Sequence, residues 1–316
     1  MINKYSLFDL HCDTALRLAH QKLSLLDNEE CHISLQKAGY LDRYVQIFAV
    51  YTPQSMNDEE GFQNFCATTD YFNDELSKNS GIIAPLCKNG VQIEQAVSNG
   101  KRGAILAVED ARILNGNIER IDILADSGVR FVTPVWGGVS CIGGAHNSDV
   151  GLSDFGKKAV KAMSAQGMII DLSHASEKTA DDIIETVSAV GGMAVATHSN
   201  SASVYGHTRN LRDRHFSDIK ALGGLVGISL CTPHISDEKV PGVDSIVKHI
   251  DRYMELGGED TVAIGTDLDG TGLPEGFHSI ADVYKIGRRL SELGYTDKQI
   301  NKIFFENAFH FATQKL

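Results

Sequence analysis

Short runs of apolar and β-branched residues alternate with amphipathic stretches along the whole chain of 316 residues, and this alternation limits the possible folds more than any other feature. Most runs are nearly continuous in apolar residues, as expected for parallel strands that are covered on both faces. Several start after a glycine that would end the preceding helix. The eight runs are Leu7–Asp13, Tyr44–Tyr51, Ala104–Glu109, Arg130–Trp136, Met168–His174, Met193–His198, Leu225–Leu230 and Thr261–Asp267.

The stretches between the runs follow helical spacing, as in the apolar face that recurs from Val243 to Met254. Eight strand–helix units in about 300 residues match a (β/α)8 TIM barrel, an α/β fold of about 250 residues plus insertions. No linker divides the chain, so we predict one barrel domain over residues 1–316. A capping box of Thr296 and Gln299 predicts an additional C-terminal helix over Thr296–Gln314. The alternative is a doubly wound sheet, but its glycine-rich phosphate turn is absent after the first run.

Charge and composition exclude several functional classes. The chain has 29 Lys+Arg against 41 Asp+Glu and a formal net charge of −12, which argues against nucleic-acid partners and acidic membrane surfaces. No segment approaches the roughly 18–20 apolar residues that span a bilayer, and the N-terminal sequence has no apolar stretch of signal-peptide length. The six cysteines show no C-x-x-C spacing and are expected to be reduced thiols. These features predict a cytoplasmic protein.

Residues of metal-binding type stand at the C-terminal ends of five predicted strands, which is the functional face of a barrel. Because side chains alternate along a strand, His11 and Asp13 point to one face and Cys12 points behind the sheet. A single histidine at a strand end is usually structural, but six such residues at matching ends favour a shared site. Three imidazoles, an aspartate and a glutamate able to bridge would hold two metal ions. The six residues are His11, Asp13, Glu109, His174, His198 and Asp267.

Other histidines carry weaker signals. His146 and His207 lie in loops that a barrel places over the functional face, so each is a candidate for contact with substrate. Six further histidines have no partner pattern, and we expect most of them on the solvated surface. They are His20, His32, His215, His234, His249 and His310.

Several short motifs together resemble the membrane (renal) dipeptidase family of zinc peptidases, in an order and spacing that fit nearly the whole chain. The motifs are His11-Cys12-Asp13-Thr14, Glu109, Gly151-Leu152-Ser153-Asp154-Phe155-Gly156, Asp171-Leu172-Ser173-His174, His198-Ser199-Asn200, Thr208-Arg209-Asn210-Leu211 and Gly265-Thr266-Asp267-Leu268-Asp269-Gly270.

The resemblance implies a barrel hydrolase that cleaves dipeptides, often with a D-residue at the C-terminal position, and that is often a homodimer. His11 and Asp13 would hold one zinc ion, His174 and His198 the other, and Glu109 would bridge the two. Arg209 would bind the carboxylate of the dipeptide, and Asp267 would transfer protons.

The sequence departs from the family pattern after the fourth strand. The family often has a histidine there that contacts the scissile carbonyl, whereas the corresponding residue here is Trp136. His146 is a candidate to replace it from the loop, so Trp136 and His146 join Arg209 as predicted substrate-binding residues.

A site of this kind explains hydrolysis in physical terms. Water between two divalent ions has its pKa lowered towards about 7, and one ion polarises the peptide carbonyl. Asp267 would accept the proton and deliver it to the leaving amine. Two alternatives remain open: a barrel hydrolase for another amide, such as an N-acyl amino acid, and a catalytically silent metal- or peptide-binding protein. Trp136 favours the silent protein, whereas the presence of Asp267 and Arg209 speaks against it.

Overall fold

The computed structural model describes residues 5–316, and nine strands lie in this part of the chain. They are β1 Leu7–Cys12, β2 Tyr44–Tyr51, β3 Ile83–Leu86, β4 Arg102–Glu109, β5 Val129–Thr133, β6 Ile169–Asp171, β7 Ala194–Val195, β8 Val226–Ile228 and β9 Val262–Ile264. Eight strands run parallel in the order β7-β6-β5-β4-β2-β1-β9-β8. A parallel bridge between Ala196 and Val226 joins the two ends of this order. The predicted (β/α)8 TIM barrel is confirmed.

Strand β3 lies outside the barrel path, and the sequence patterns missed it. It pairs with the first residues of β4, where Ile83 lies opposite Arg102, before β5 joins β4 at Leu106. Pro85 lacks an N–H donor, so this short segment does not read as a central strand.

Two apolar layers stabilise the barrel. Along β2, Val45, Ile47 and Ala49 belong to the layer inside the barrel, whereas Phe48 and Val50 belong to the layer between the strands and the helices. Aromatic side chains from the C-terminal helical segment, among them Phe305 and Phe311, pack with the inner layer. They close one end of the barrel and leave the opposite end for a site.

Helices follow most strands and cover the barrel. They are α1 Thr14–Gln21, α2 Asp58–Lys78, α3 Gly90–Ser98, α4 Arg120–Ser127, α5 Asp154–Ala165, α6 Glu177–Val190, α7 Asp213–Ala221, α8 Val243–Glu255, α9 Tyr284–Glu292, α10 Asp297–Asn301 and α11 Asn307–Lys315. Short 3-10 turns occupy Lys37–Tyr40, Ala111–Leu114, Thr232–His234 and Ile280–Asp282. Between residues 5 and 316, no helix is both long enough and apolar enough to cross a bilayer.

The predicted C-terminal helix is present and begins at the predicted capping box. The Thr296 hydroxyl accepts a hydrogen bond from the backbone N–H of Gln299, and the Gln299 side chain accepts one from the N–H of Thr296. A π-helical turn over Lys302–Glu306 divides the segment into α10 and α11. This turn contains Phe305, which packs into the inner layer 6.4 Å from the ring of Phe8.

The expectation of solvated histidines holds for His20 and His310 but is wrong for His215 and His249, which are buried. His249 lies on α8, where Nδ1 accepts a hydrogen bond from the N–H of Ser201 and Nε2 donates to the carbonyl of Ile235. Burial lowers the pKa of His249 to about 4. His249 is buried because the loop backbone at Ser201 and Ile235 packs against this side of α8.

Candidate active site

A cavity of about 240 Å³ opens at the C-terminal ends of the barrel strands. Its lining combines carboxylates, histidines and aromatic rings. The lining residues are Asp13, Leu16, Tyr51, Glu109, Trp136, His174, Cys231, His234, Asp267, Asp269, Gly270 and Thr271.

A β-bulge in β1 directs His11 and Asp13 into the barrel. Between two successive paired positions, β1 advances by three residues, from Asp9 to Cys12, while β2 advances by two. Leu10 before the bulge belongs to the inner layer, whereas Cys12 after it belongs to the outer layer. The extra residue therefore shifts the alternation by one position, so that His11 faces inward as Leu10 does. Cys12 lies behind the sheet, as predicted.

Glu109, at the end of β4, lies between the histidines, and its two oxygens face different partners. Oε1 lies 2.9 Å from Nε2 of His174 and 3.5 Å from Nε2 of His198. Oε2 lies 3.4 Å from Nε2 of His11, which in turn lies 3.8 Å from Oδ2 of Asp13. The structure thus brings the predicted metal-binding residues together around one carboxylate.

Asp267 completes this cluster from the loop after β9. Its Oδ1 lies 4.0 Å from Nε2 of His11, and ligand atoms of His11, Asp13 and Asp267 all lie within 4.8 Å of one another. His174 and Asp267 both have left-handed backbone conformations, with φ of 67° and 62°. Such conformations are uncommon for residues other than glycine and cluster at functional sites.

The electrostatics of the cluster favour a bound cation. Burial opposes a positive charge on His11, but neighbouring carboxylates, Glu109 foremost, outweigh it and raise the pKa of His11 well above its usual range. Burial lowers the pKa of His174 and of His198 well below the usual range. Burial also raises the pKa of Asp267 well above its usual range. The field therefore attracts positive charge towards Glu109 and keeps two imidazoles neutral, which is the ligand form of histidine.

Unpaired polar atoms in the cluster suit metal coordination. Nε2 of His11 and Oδ1 of Asp13 are buried without a hydrogen-bond partner. Buried polar groups and charges require compensation, and imidazole nitrogens and carboxylate oxygens are common ligands of divalent metals. The residues present therefore fit a metal centre.

Gly270 leaves the space in which two of the carboxylates approach each other. A Cβ atom at this position would lie 2.0 Å from Oδ2 of Asp13 and 2.6 Å from Oδ1 of Asp267. Both distances are too short for any side chain, so the cluster as built requires glycine here.

Arg209 is buried next to the cluster. Nη1 donates to the Ser199 hydroxyl at 3.0 Å and Nη2 donates to the His198 carbonyl at 3.1 Å, while Nε is buried without a partner. Burial lowers the pKa of Arg209, and the field of Asp267 opposes that shift. A guanidinium has five N–H donors, so donors remain for a further acceptor.

Aromatic rings form one wall of the cavity. Trp136 stacks on His174 with ring centroids 5.6 Å apart and contacts Tyr51 at 5.0 Å. His146 lies on the loop above, 6.2 Å from the ring of His174, and its Nδ1 is 3.1 Å from the Thr208 hydroxyl. Burial lowers the pKa of His146 to about 4. The structure thus places both predicted substrate-binding side chains near His174.

Sequence reasoning missed three side chains that line the cavity. Tyr51 ends β2 as Glu109 ends β4, and this position was a usable signal. His234 had been expected on the surface, but it lines the cavity and its ring lies 4.7 Å from that of His207. Cys231 follows β8 and accepts a hydrogen bond from the Thr271 hydroxyl. No pattern in the sequence indicated His234 or Cys231.

A parallel barrel with histidines and carboxylates clustered at the C-terminal ends of its strands defines the class of metal-dependent barrel hydrolases. Within that class, the chain belongs to the membrane dipeptidase family, peptidase family M19, whose model matches residues 1–315. The resemblance inferred from the motifs is confirmed, and the protein is a metal-dependent dipeptidase by family.

The chain is also similar to individual proteins. An uncharacterized protein in the pqqA 5′ region of Klebsiella pneumoniae is 28% identical over 235 residues, which cover 70% of this chain and 85% of that protein. A metallopeptidase from Rhodobacter sphaeroides, solved with a phosphinate mimic of L-Ala-D-Ala, superposes with a TM-score of 0.91 at 22% identity and covers 99% of this chain and 100% of its own. The structure of dipeptidase AC, a family M19 metallopeptidase, gives 0.89 at 23% identity and covers 99% of both chains. These structures share the fold of the whole chain.

Proposed function

We propose that this protein hydrolyses dipeptides with a free C-terminal carboxylate, using two zinc ions on either side of Glu109. The observation that carries the proposal is the division of the Glu109 carboxylate, with Oε1 facing His174 and His198 and Oε2 facing His11. His11 and Asp13 would hold one ion, and His174 and His198 would hold the other.

The side chains around this centre suit peptide hydrolysis. Bound zinc would lower the pKa of a water molecule between the ions towards about 7 and polarise the scissile carbonyl. Asp267 faces the same space, and its raised pKa suits a group that accepts a proton and returns it to the leaving amine. Glu109 would hold the His11 side of the centre and the His174 and His198 side at a fixed separation.

The size of the cavity favours a small substrate, and the buried Arg209 beside the cluster suits a substrate with a carboxylate. The cavity volume of about 240 Å³ is below the roughly 300–1,000 Å³ of sites for drug-sized ligands. The free donors of Arg209, Nε among them, suit the C-terminal carboxylate of a dipeptide. The mimic of L-Ala-D-Ala bound to the Rhodobacter sphaeroides metallopeptidase motivates the further proposal that a D-residue is accepted at the C-terminal position.

Trp136 and His146 would shape the remainder of the substrate site. Trp136 occupies the place of the family's carbonyl-binding histidine and presents its indole beside His174. The ring of His146 lies 6.2 Å from that of His174 and is neutral near pH 7, because burial lowers its pKa to about 4. A neutral imidazole N–H can donate a hydrogen bond to the scissile carbonyl oxygen.

A substrate panel tests the proposal. Zinc-loaded and chelator-treated protein are assayed on L-Ala-L-Ala, L-Ala-D-Ala, the corresponding dipeptide amides and N-acetyl amino acids. We expect hydrolysis of the free dipeptides that chelator abolishes and zinc restores. Faster turnover of N-acetyl amino acids would identify a different amidase, and zinc binding without any turnover would identify a silent binding protein.

A further inference from the structure

One hydroxyl group lies behind two of the proposed ligand histidines. Oγ1 of Thr197, in the segment after β7, lies 2.8 Å from Nδ1 of His198 and 3.5 Å from Nδ1 of His11. The two imidazole rings are stacked with centroids 3.7 Å apart. All three residues are at most 2% exposed, so water does not compete for these contacts.

Asp171, at the end of β6, determines the direction of the Thr197 hydroxyl. Oδ1 of Asp171 accepts hydrogen bonds from the backbone N–H groups of Ser173 and Thr197, at 2.9 and 2.8 Å. Its Oδ2 accepts from the hydroxyls of Thr133 and Thr197, at 2.7 and 2.5 Å. A hydroxyl has a single proton, and that of Thr197 goes to Asp171. The lone pairs of Oγ1 are thereby left for the two imidazoles.

The backbone of Thr197 has little freedom to move away from this position. Gly227 and Gly265 pack against its carbonyl oxygen, and a Cβ atom at either glycine would lie within 2 Å of that oxygen, at 1.9 and 1.8 Å. This close approach, by Gly227 in β8 and by Gly265 after β9, fixes the position of Thr197 along the barrel axis.

We propose that Thr197, oriented by Asp171, is a positioning residue that fixes the proton of both His11 and His198 on Nδ1. An oxygen that has given its proton to Asp171 can only accept from the imidazoles, so each Nδ1 carries a hydrogen. Nε2 of each ring, the atom that would bind metal, then faces Glu109, 3.4 Å away for His11 and 3.5 Å for His198. One hydroxyl thus orients a ligand on each side of the centre. The inference rests on the proposed metal site, although the proton positions themselves do not depend on it.

His174 differs from the other two ligand histidines. Its Nδ1 is buried without a hydrogen-bond partner, and its Nε2 lies 2.9 Å from Glu109 and 3.0 Å from Nε2 of His198. Thr197 therefore acts on His174 through His198 and not by a hydrogen bond of its own.

Two substitutions separate positioning from packing. Thr197→Val keeps the shape and removes the hydroxyl, whereas Thr197→Ser keeps the hydroxyl and removes a methyl group. Thr133→Val is the matched control, because Thr133 is also buried and donates to the same oxygen of Asp171 but makes no hydrogen bond to an imidazole within residues 5–316.

Zinc affinity is measured by competition with a chromophoric chelator. We expect a loss of about 10–100-fold for Thr197→Val, the usual effect of removing a partner of a metal-bound histidine. Thr197→Ser and Thr133→Val should stay within a few-fold of wild type.

Imidazole ¹H–¹⁵N spectra of protein with ¹⁵N-labelled histidine show directly which ring nitrogen carries each proton. In the wild type, with or without zinc, both His11 and His198 should carry a slowly exchanging Nδ1–H. In Thr197→Val these two signals should shift or exchange faster, whereas in Thr133→Val they should stay in place. A wild-type His11 or His198 with its proton on Nε2 alone would overturn the inference, and this result needs no variant. Equal loss of zinc affinity in Thr197→Ser and Thr197→Val would overturn it as well. Wild-type protein that binds no zinc would instead refute the proposed function, and the spectra of that protein would still decide the inference.

Discussion

Substituting Gly270 by alanine would add a single methyl group to the space between two carboxylates. Oδ2 of Asp13 lies 2.0 Å from the ideal Cβ position, which is 1.4 Å short of the 3.4 Å at which ordinary contact begins. Oδ1 of Asp267 is 2.6 Å away and must also move. The displaced atoms are the ends of side chains, so the barrel can keep its fold while the site cannot keep its geometry. A misplacement of about 1 Å costs on the order of 10²-fold in rate, and we expect at least that loss in kcat/KM.

Gly272→Ala is the matched control, because Gly272 lies in the same loop and nothing lies within 4 Å of its Cβ position. Neither glycine has a left-handed φ, so each alanine should change the free energy of unfolding by no more than about 1 kcal/mol. The assay measures kcat/KM on a free dipeptide together with thermal unfolding. Gly270→Ala with an activity within about threefold of Gly272→Ala would refute the account of a carboxylate pair that requires this space.

Three further substitutions test individual roles. Asp267→Asn should lower kcat by on the order of 10²-fold or more, the usual scale for losing a general acid/base, and steady-state kinetics at saturating dipeptide measure it. Its neighbour Asp269 accepts hydrogen bonds from the Thr14 hydroxyl and the N–H of His32, so Asp269→Asn should mainly lower the thermal unfolding temperature; the reverse pattern would contradict the assignment. Glu109→Gln should lose most activity while circular dichroism shows the fold kept, and normal turnover with both ions bound would exclude Glu109 as the bridge. Arg209→Lys should reduce kcat/KM much more for dipeptides than for dipeptide amides, and equal losses would mean that Arg209 does not bind the carboxylate.

The barrel was predictable because most of its buried parallel strands are nearly continuous apolar runs. Strand β3 was not, since its four residues include Pro85 and it pairs with the first part of β4 outside the barrel path. The lengths of the later strands were also overestimated, because the predicted strands extend too far along the chain. In the run Met193–His198 only Ala194–Val195 pairs as a regular strand, because the residues beyond them turn into the site.

The identities of the site residues were also predictable, but the reason His11 faces inward was not. Simple alternation put His11 and Asp13 on one face, yet only the bulge after Asp9 makes that face the interior one. Thr197 and His234 were not predicted as part of the site, for a different reason. A threonine after a strand and a histidine in a short 3-10 turn carry no local signal. Apart from His198 next to Thr197, the partners described here, such as His11 for Thr197 and His207 for His234, are distant in sequence and meet them only in the folded barrel.

The most direct test of the central claim is the metal content of active protein, measured by elemental analysis alongside kcat on a free dipeptide. The account predicts two zinc ions per chain, because the cluster offers nitrogen and oxygen ligands on both sides of Glu109. It also predicts that activity falls as chelator removes zinc and returns as zinc is restored. Fully active protein that retains one ion or none would contradict the binuclear centre.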